Sequence, residues 1–151
     1  MIREERDGDR AAVRAVEIAA FGRDVEADIV DALRGDPACA LSLVAELDGE
    51  IVGHVLLHRG SRGVTTLGPL AVLPSHQRRG IGTALMHGAL ARIPGPVVLL
   101  GHPDYYRRFG FRPAFPLGIT NQWGIEGPEW MIRGAAEPGE VRYPEAFASP
   151  G

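Results

Sequence analysis

The sequence contains no lysine, because its 16 basic residues are all arginine. That excludes every chemistry needing a lysine amine, from Schiff bases to the phosphate-binding lysine of a Walker-A loop. Cys39 is the single cysteine, so neither an intramolecular disulfide nor a cysteine metal cluster is expected. Within Pro37-Ala38-Cys39-Ala40-Leu41 it reads as a small buried hydrophobe rather than a nucleophile. No apolar run approaches the roughly 20 residues of a membrane helix. The charged start, Met1-Ile2-Arg3-Glu4-Glu5-Arg6, has no apolar signal core. A formal net charge of −3 argues against a general nucleic-acid-binding surface. The expectation is a cytoplasmic protein with no nucleic-acid or membrane partner, and a homodimer stays open.

What is present suits one folded unit. The chain has 151 residues, 45% hydrophobic and 23% charged, which is one domain's worth with enough apolar surface for a core. Residues 1–151 are therefore expected to form a single domain. Most of the 12 prolines lie from Pro94 onward, which predicts a loop-rich extension from about residue 115.

Met1–Glu5 suits an edge strand. Val13, Val16, Ile18, Ala19 and Ala20 predict a helix ending at Phe21-Gly22, and Val25, Ile29, Val30 and Leu33 predict a second, opened by Asp24. Leu41–Leu47 and Ile51–His58 read as strands joined by an Asp48-Gly49 hairpin turn. Val64–Leu73 reads as a long strand whose Gly68-Pro69 predicts a bulge or an unpaired edge. Ile81, Leu85, Ala89 and Ile93 form a helical stripe that Pro94-Gly95-Pro96 ends. Val97–Leu100 suits the middle of a sheet, Pro103–Phe109 a two-turn helix, and Phe111 onward another strand. Ile119–Ile125 carries no clear pattern, Glu129–Gly134 suits a last strand, and the tail from Ala135 reads as loop. The fold class is mixed α/β of the α+β type.

Chemistry concentrates in Leu70-Ala71-Val72-Leu73-Pro74-Ser75-His76-Gln77-Arg78-Arg79-Gly80-Ile81-Gly82-Thr83. It reads as a strand, a turn with two arginines, and two glycines opening a helix. The first turn of a helix leaves amide N–H groups unpaired at the positive end of its dipole. Glycines let a phosphate approach them, and arginines add charge-assisted donors. The bland alternative is that Gly80 and Gly82 only permit tight strand–helix packing. A dinucleotide fingerprint fits poorly, because a six-residue polar loop precedes the glycines and Leu85 holds the third glycine's place.

Gln77-Arg78-Arg79-Gly80-Ile81-Gly82 is similar to the Gln/Arg-x-x-Gly-x-Gly/Ala signature of the GNAT N-acetyltransferases, and Leu70-Ala71-Val72-Leu73-Pro74 resembles that family's fourth strand. Tyr106-Arg107-Arg108-Phe109-Gly110-Phe111 resembles its Tyr-x-x-x-Gly-Phe motif. The run Gly101-His102-Pro103-Asp104-Tyr105-Tyr106, with the Pro- and Trp-containing extension, is similar to a bacterial subgroup with a Tyr-Tyr-x-x-Phe-Gly-Phe motif. The resemblance implies a twisted, mostly antiparallel mixed sheet flanked by helices, with strands four and five splayed around acetyl-CoA. It implies that the backbone of Leu70, Ala71, Val72 and Leu73 holds the pantetheine arm. Gln77, Arg78, Arg79, Gly80, Ile81, Gly82 and Thr83 would bind the pyrophosphate. Tyr106 would be the general acid, in direct acetyl transfer to a primary amine of a small molecule or peptide. The alternative is a non-catalytic CoA-binding sensor or complex subunit.

The sequence departs from the family in two respects that bear on mechanism: Gly101-His102-Pro103 replaces the family's longer Asn-x-x-Ala lead into the tyrosine helix, and the fourth strand lacks a carboxylate. Many members carry a carboxylate on the fourth strand as general base, yet Val64–Leu73 holds no Asp or Glu. Glu26, Asp28, His54, His58, His102 and Asp104 are the candidates to replace it. His54 and His58 would lie about 13 Å apart on one strand face, too far for a shared metal ion, and no metal is expected. Tyr105 reads as core beside a functional Tyr106. Arg107-Arg108 is either a solvated face or a contact to the cofactor's 3′-phosphate or an acidic substrate. Trp123 and Trp130 read best as core packing.

Overall fold

Asp48 and Gly49 both take positive φ, 52° and 79°, the backbone of a type I′ turn, and fold β2 (Cys39–Leu47) back on β3 (Glu50–Arg59). The hairpin belongs to a computed structural model that describes residues 1–147; positions 148–151 of the expected domain lie outside the described residues. β1 (Ile2–Glu4) adds to the free edge of β2, and β4 (Thr65–Val72) pairs with β3. β5 (Val97–Leu100), β8 (Trp130–Arg133) and β6 (Arg112–Pro113) complete a seven-stranded sheet of order β1-β2-β3-β4-β5-β8-β6. Every pairing in it is antiparallel except β4 with β5.

Strand alternation divides the interior in two. On one face α1 (Arg10–Phe21) and α2 (Val25–Leu33) bury Val13, Val16, Ile29, Val30 and Leu33 against Val44, Leu56 and Ala71. On the other, α3 (Ile81–Arg92) buries Leu85, Met86 and Ala89 against Leu43, Val55 and Leu57. Each such side chain contributes about 1.5–3 kcal/mol on leaving water.

Two irregularities of β4 shape the site. Val55 pairs with Leu70 and Leu57 with Leu67, so Gly68 and Pro69 together face one residue of β3. This is the expected bulge. Secondly, β4 meets β5 only at Thr65–Val97 and Thr66–Val98, after which Leu99 and Leu100 pair with β8 alone. From Leu67 onward the strands splay, and one edge of β4 has no strand partner.

The C-terminal segment corrects the sequence reading. β7 (Ile119–Asn121) and β9 (Gly139–Val141) form a small parallel sheet, so Ile119–Ile125 is ordered, Glu129–Gly134 is not the last strand, and the chain after Ala135 is not all loop. The local order comes from one side chain rather than from periodicity. Asn121 Oδ1 accepts from the amides of Trp123 and Ile125 at 3.0 and 3.1 Å, and its Nδ2 donates to the Ile125 carbonyl at 2.9 Å. Trp130 is fully buried and its indole N–H donates to the Ile119 carbonyl at 2.9 Å, tying this segment to the main sheet. Trp123 packs on Tyr143, and Tyr143 and Phe147 bury their rings in the core beneath α1 and α2.

Candidate active site

Arg78 and Gly80 both adopt left-handed backbone, φ 65° and 81°, and turn the chain from β4 into α3. No side chain caps that helix, and its first ladder bond runs from the Ala84 amide to the Gly80 carbonyl at 3.0 Å. The Ile81, Gly82 and Thr83 amides therefore have no partner within the helix. They border a cavity of about 560 Å³ lined by Leu70, Val72, His76, Gln77, Arg78, Tyr105 and Arg108 among others. Two arginines and no carboxylate line it, so its sign is opposite to that of the whole chain.

Gly82 is needed here for space. A Cβ at Gly82 would lie 2.9 Å from the Tyr105 hydroxyl. Arg108 lies over the Tyr105 ring, 4.8 Å from its centroid, and its Nε donates to the Tyr105 carbonyl at 3.0 Å. Arg107 pairs instead with Asp104 at the exposed surface. Gln77 donates its side-chain amide to the Val72 carbonyl at 3.1 Å. The Leu73 amide bonds to Val52 across the β3 side. By the alternation of an antiparallel ladder, Leu70 and Val72 thus present their backbone groups to the splay, while Ala71 and Leu73 face β3. The Arg79 side chain lines a different hollow, beside Met1 and Glu46.

A second cavity, of about 180 Å³, opens at the bulge between Leu67–Leu70 of β4 and Leu100 of β5. Leu70 lines both cavities, so they adjoin at one residue. Phe21, Tyr106, Tyr143 and Phe147 supply aromatic walls, and Glu26 is the one charged lining residue among the described residues. Glu26 is only 3% exposed and is held by Arg23, whose Nε donates to Oε1 at 3.0 Å.

Tyr106 lies on α4 (Pro103–Tyr106), which continues as a 3-10 turn to Phe109 and stops at Gly110, φ 89°. The two tyrosine rings stand edge to face at 4.9 Å, so adjacent residues serve different cavities. Tyr106 packs directly over Gly101, where any Cβ would strike its ring. Burial, reinforced by Tyr105, holds the Tyr106 phenol above its ordinary range, so it is protonated at neutral pH.

His58 lies below this cavity, its ring 4.5 Å from that of Phe147. Burial pushes its pKa down to about 4, so it is neutral: Nε2–H donates to the Gly68 carbonyl at 2.9 Å, and Nδ1 bonds to the Thr66 hydroxyl. It supports the bulge and does not line the cavity. His54 is enclosed, with Nδ1 2.6 Å from Glu17 Oε2 and Nε2 2.8 Å from Ser42 Oγ. Burial raises the Glu17 pKa, against the pull of His54. Asp28 pairs with Arg14 on the surface, and His102 and Asp104 are exposed. Of the six candidate bases, only Glu26 lines the cavity. Cys39 is half-buried outside both cavities, and desolvation raises its thiol pKa. Among the described residues there is no cluster of His, Cys, Asp or Glu able to hold a metal ion, nor a helix long and apolar enough to cross a membrane.

Sequence reasoning missed Tyr105 as a lining residue of the larger cavity, and Tyr143 and Phe147 as walls of the smaller one. The one-residue offset along a helix, about 100°, was a usable signal for Tyr105. The other two lie in the C-terminal extension, where no pattern singled them out.

Comparison with known proteins agrees with this geometry. Residues 10–111 match the Acetyltransferase (GNAT) family. The N-acetyltransferase YjhQ of Escherichia coli K12 is 40% identical over 119 residues, covering 70% of this chain and 66% of YjhQ, just under two thirds of its length. The N-acetyltransferase YhbS of the same organism is 30% identical over 97% of this chain and 98% of its own. The crystal structure of Escherichia coli YhbS in complex with CoA superposes with a TM-score of 0.93 at 28% identity, covering 100% of this chain and 93% of that one. A GNAT family acetyltransferase from Brucella melitensis in complex with acetyl-CoA gives 0.83 at 36% identity, covering 97% of each chain.

Proposed function

The chain belongs to the acetyltransferase (GNAT) family and is an acetyl-CoA-dependent N-acetyltransferase; from that premise we propose that it moves acetyl directly onto a primary amine, with Tyr106 as the acid. The observation that carries this reading is the junction at Leu70. A cationic cavity built on free helix amides meets there a small aromatic cavity holding a protonated tyrosine.

The residues suit the cofactor. Amides of Ile81, Gly82 and Thr83, with Arg78 and Arg108, would hold the pyrophosphate, and Gln77 would order the strand edge beside it. The backbone groups of Leu70 and Val72 would extend the sheet onto the pantetheine arm, and the arginyl backbone of Arg79 completes the turn. Acetyl-CoA supplies a thioester whose acyl carbon accepts an amine nitrogen as its bond to sulfur breaks.

Tyr106 then manages the leaving group. A thiolate has a pKa of about 8.5, below that of a buried phenol. Tyr106 therefore stabilises departing sulfur by donating a hydrogen bond, and gives up its proton only as it regains the one lost from the acylated nitrogen. The ammonium's other proton reaches solvent, so the balance is amide, free thiol and one released proton. Such positioned transfer is worth about 10²–10⁴-fold.

The Tyr105-Tyr106-x-x-Phe109-Gly110-Phe111 run supports assignment to the Tyr-Tyr bacterial subgroup, and the co-substrate supports a cytoplasmic setting. Calorimetric titration with CoA, followed by thiol release from acetyl-CoA with an amine panel, tests the reading. Binding with amine-dependent thiol release is expected. Failure of folded protein to bind CoA would overturn it, and binding without turnover would favour a sensor.

A further inference from the structure

We propose, resting on the acetyl-transfer reading above, that the smaller cavity takes a small primary amine with an apolar body and a single positive charge, and that Glu26 holds its ammonium. Three observations converge on that chemistry.

Among the described residues Glu26 is the only charged one lining the cavity, and it is 3% exposed. Its partner Arg23 is half in solvent, with 52% of its side chain exposed, and approaches through Nε and Nη2. A carboxylate offers about four lone-pair sites, so Arg23 leaves part of that capacity free. Arg23 Nε donates to Oε1 at 3.0 Å and to Oε2 at 3.2 Å, and Nη2 donates to Oε2, so the remaining site takes one further N–H donor, which the amine supplies.

The aromatic rings of Phe21, Tyr106, Tyr143 and Phe147 favour a cation flanked by apolar groups. Tyr143 adds a second polar anchor. Its hydroxyl is buried without a hydrogen-bond partner among the described residues, which suits one polar atom of a bound molecule. Tyr143 itself is 8% exposed.

Size and charge exclude the alternatives. The cavity's volume of about 180 Å³ falls below the roughly 300–1,000 Å³ of sites for drug-sized ligands, which leaves out multi-ring aminoglycosides. Among the described residues neither an arginine nor a histidine lines it, so an amino acid would bury its carboxylate uncompensated. A peptide amine would strip water from amide groups with little beyond Tyr143 to replace it. A polyamine would bring a second ammonium that finds no second carboxylate.

The experiment measures kcat/KM by thiol release for 2-phenylethylamine, butylamine, leucine, spermidine, kanamycin and a lysine peptide. CoA affinity is measured in parallel. The two apolar monoamines should exceed the others by about 100-fold, the scale of a buried charge left unpaired. Glu26→Gln should raise KM for 2-phenylethylamine by about 10- to 100-fold while leaving the CoA dissociation constant nearly unchanged. Tyr143→Phe provides a second, gentler variant, with KM rising by a few-fold for amines that carry an additional hydroxyl. 2-Phenylethylamine should also bind the wild-type protein–CoA complex in a calorimeter. Preference for leucine, spermidine, kanamycin or the peptide overturns the inference. So does absence of 2-phenylethylamine binding to that complex, or a Glu26→Gln effect on kcat alone. Absence of CoA binding by the wild-type protein overturns the acetyl-transfer reading first, and the inference with it.

Discussion

Replacing Gly101 by alanine sets a methyl group where the Tyr106 ring now lies. A Cβ on Gly101 comes within 2.3 Å of Tyr106 Cε2 and 2.8 Å of Cδ2. Carbon atoms rest at roughly 3.5–4.0 Å, so the ring must withdraw by about 1.2 Å. Gly101 does not occupy the left-handed region, so the methyl itself is the only insult. A displacement near 1 Å of a reacting group costs on the order of 10²-fold in rate, or about 2.7 kcal/mol of transition-state stabilisation. Overpacking should add a stability loss of about 1–3 kcal/mol. The assay is thiol release at saturating acetyl-CoA and amine, with CoA affinity and thermal melting measured alongside. Gly101→Ala should lower kcat about 100-fold and leave CoA affinity nearly intact, because the cavity beside Gly82 is built by other residues. In a Tyr106→Phe background the same alanine should cost little more, since both changes act through one hydroxyl. Full activity of folded Gly101→Ala, or independent losses in the double variant, would refute the role given to Tyr106.

Tyr106→Phe alone should lower kcat by about 10²–10⁴-fold without weakening CoA binding, read by the same two measurements. Because burial lifts its phenol above the ordinary value of 10, the rate should show no alkaline decline centred below pH 10; such a decline, absent from Tyr106→Phe, would contradict the assignment. Gly82→Ala, whose Cβ would meet the Tyr105 hydroxyl at 2.9 Å, should weaken CoA binding by about tenfold in calorimetry, with a smaller effect on kcat. His58 governs stability rather than rate. Its pKa falls from 6.5 unfolded to about 4 folded, so its contribution is complete above pH 6.5 and is lost as pH drops toward 4, by about 3 kcal/mol in all. Urea unfolding at pH 7 and pH 4.5 should show a larger loss for the wild type than for His58→Gln, and equal losses would exclude the buried neutral imidazole.

Local chemistry explains why the arginine-lined cavity, proposed above for the cofactor, was legible in the sequence. A strand, a turn of arginines and glycines, and the amides of one helix are contiguous from Leu70 to Thr83, so their pattern survives without knowledge of the fold. The Gly68-Pro69 bulge was legible for the same reason, because proline cannot serve a ladder. The smaller cavity, proposed above for the acceptor, was legible only in part: Glu26 stood among the candidate bases, but its aromatic surroundings did not show. Glu26 and Tyr143 are brought together only by tertiary packing, and a carboxylate on a surface-patterned helix resembles any solvated charge until its burial is seen. The Glu17–His54 pair, 37 residues apart in sequence, was hidden likewise. The small parallel sheet of β7 and β9 escaped notice because an asparagine side chain, not an alternating pattern, orders its turn.

The two cavities also differ in where the chain supplies them. Among the described residues, those from Leu70 to Arg108 line the larger one, whereas Phe21, Glu26, Ile29, Tyr143 and Phe147 are five of the eleven that line the smaller. Substitution in those outer stretches would reshape the smaller cavity without touching any lining residue of the larger one, so the two can change independently.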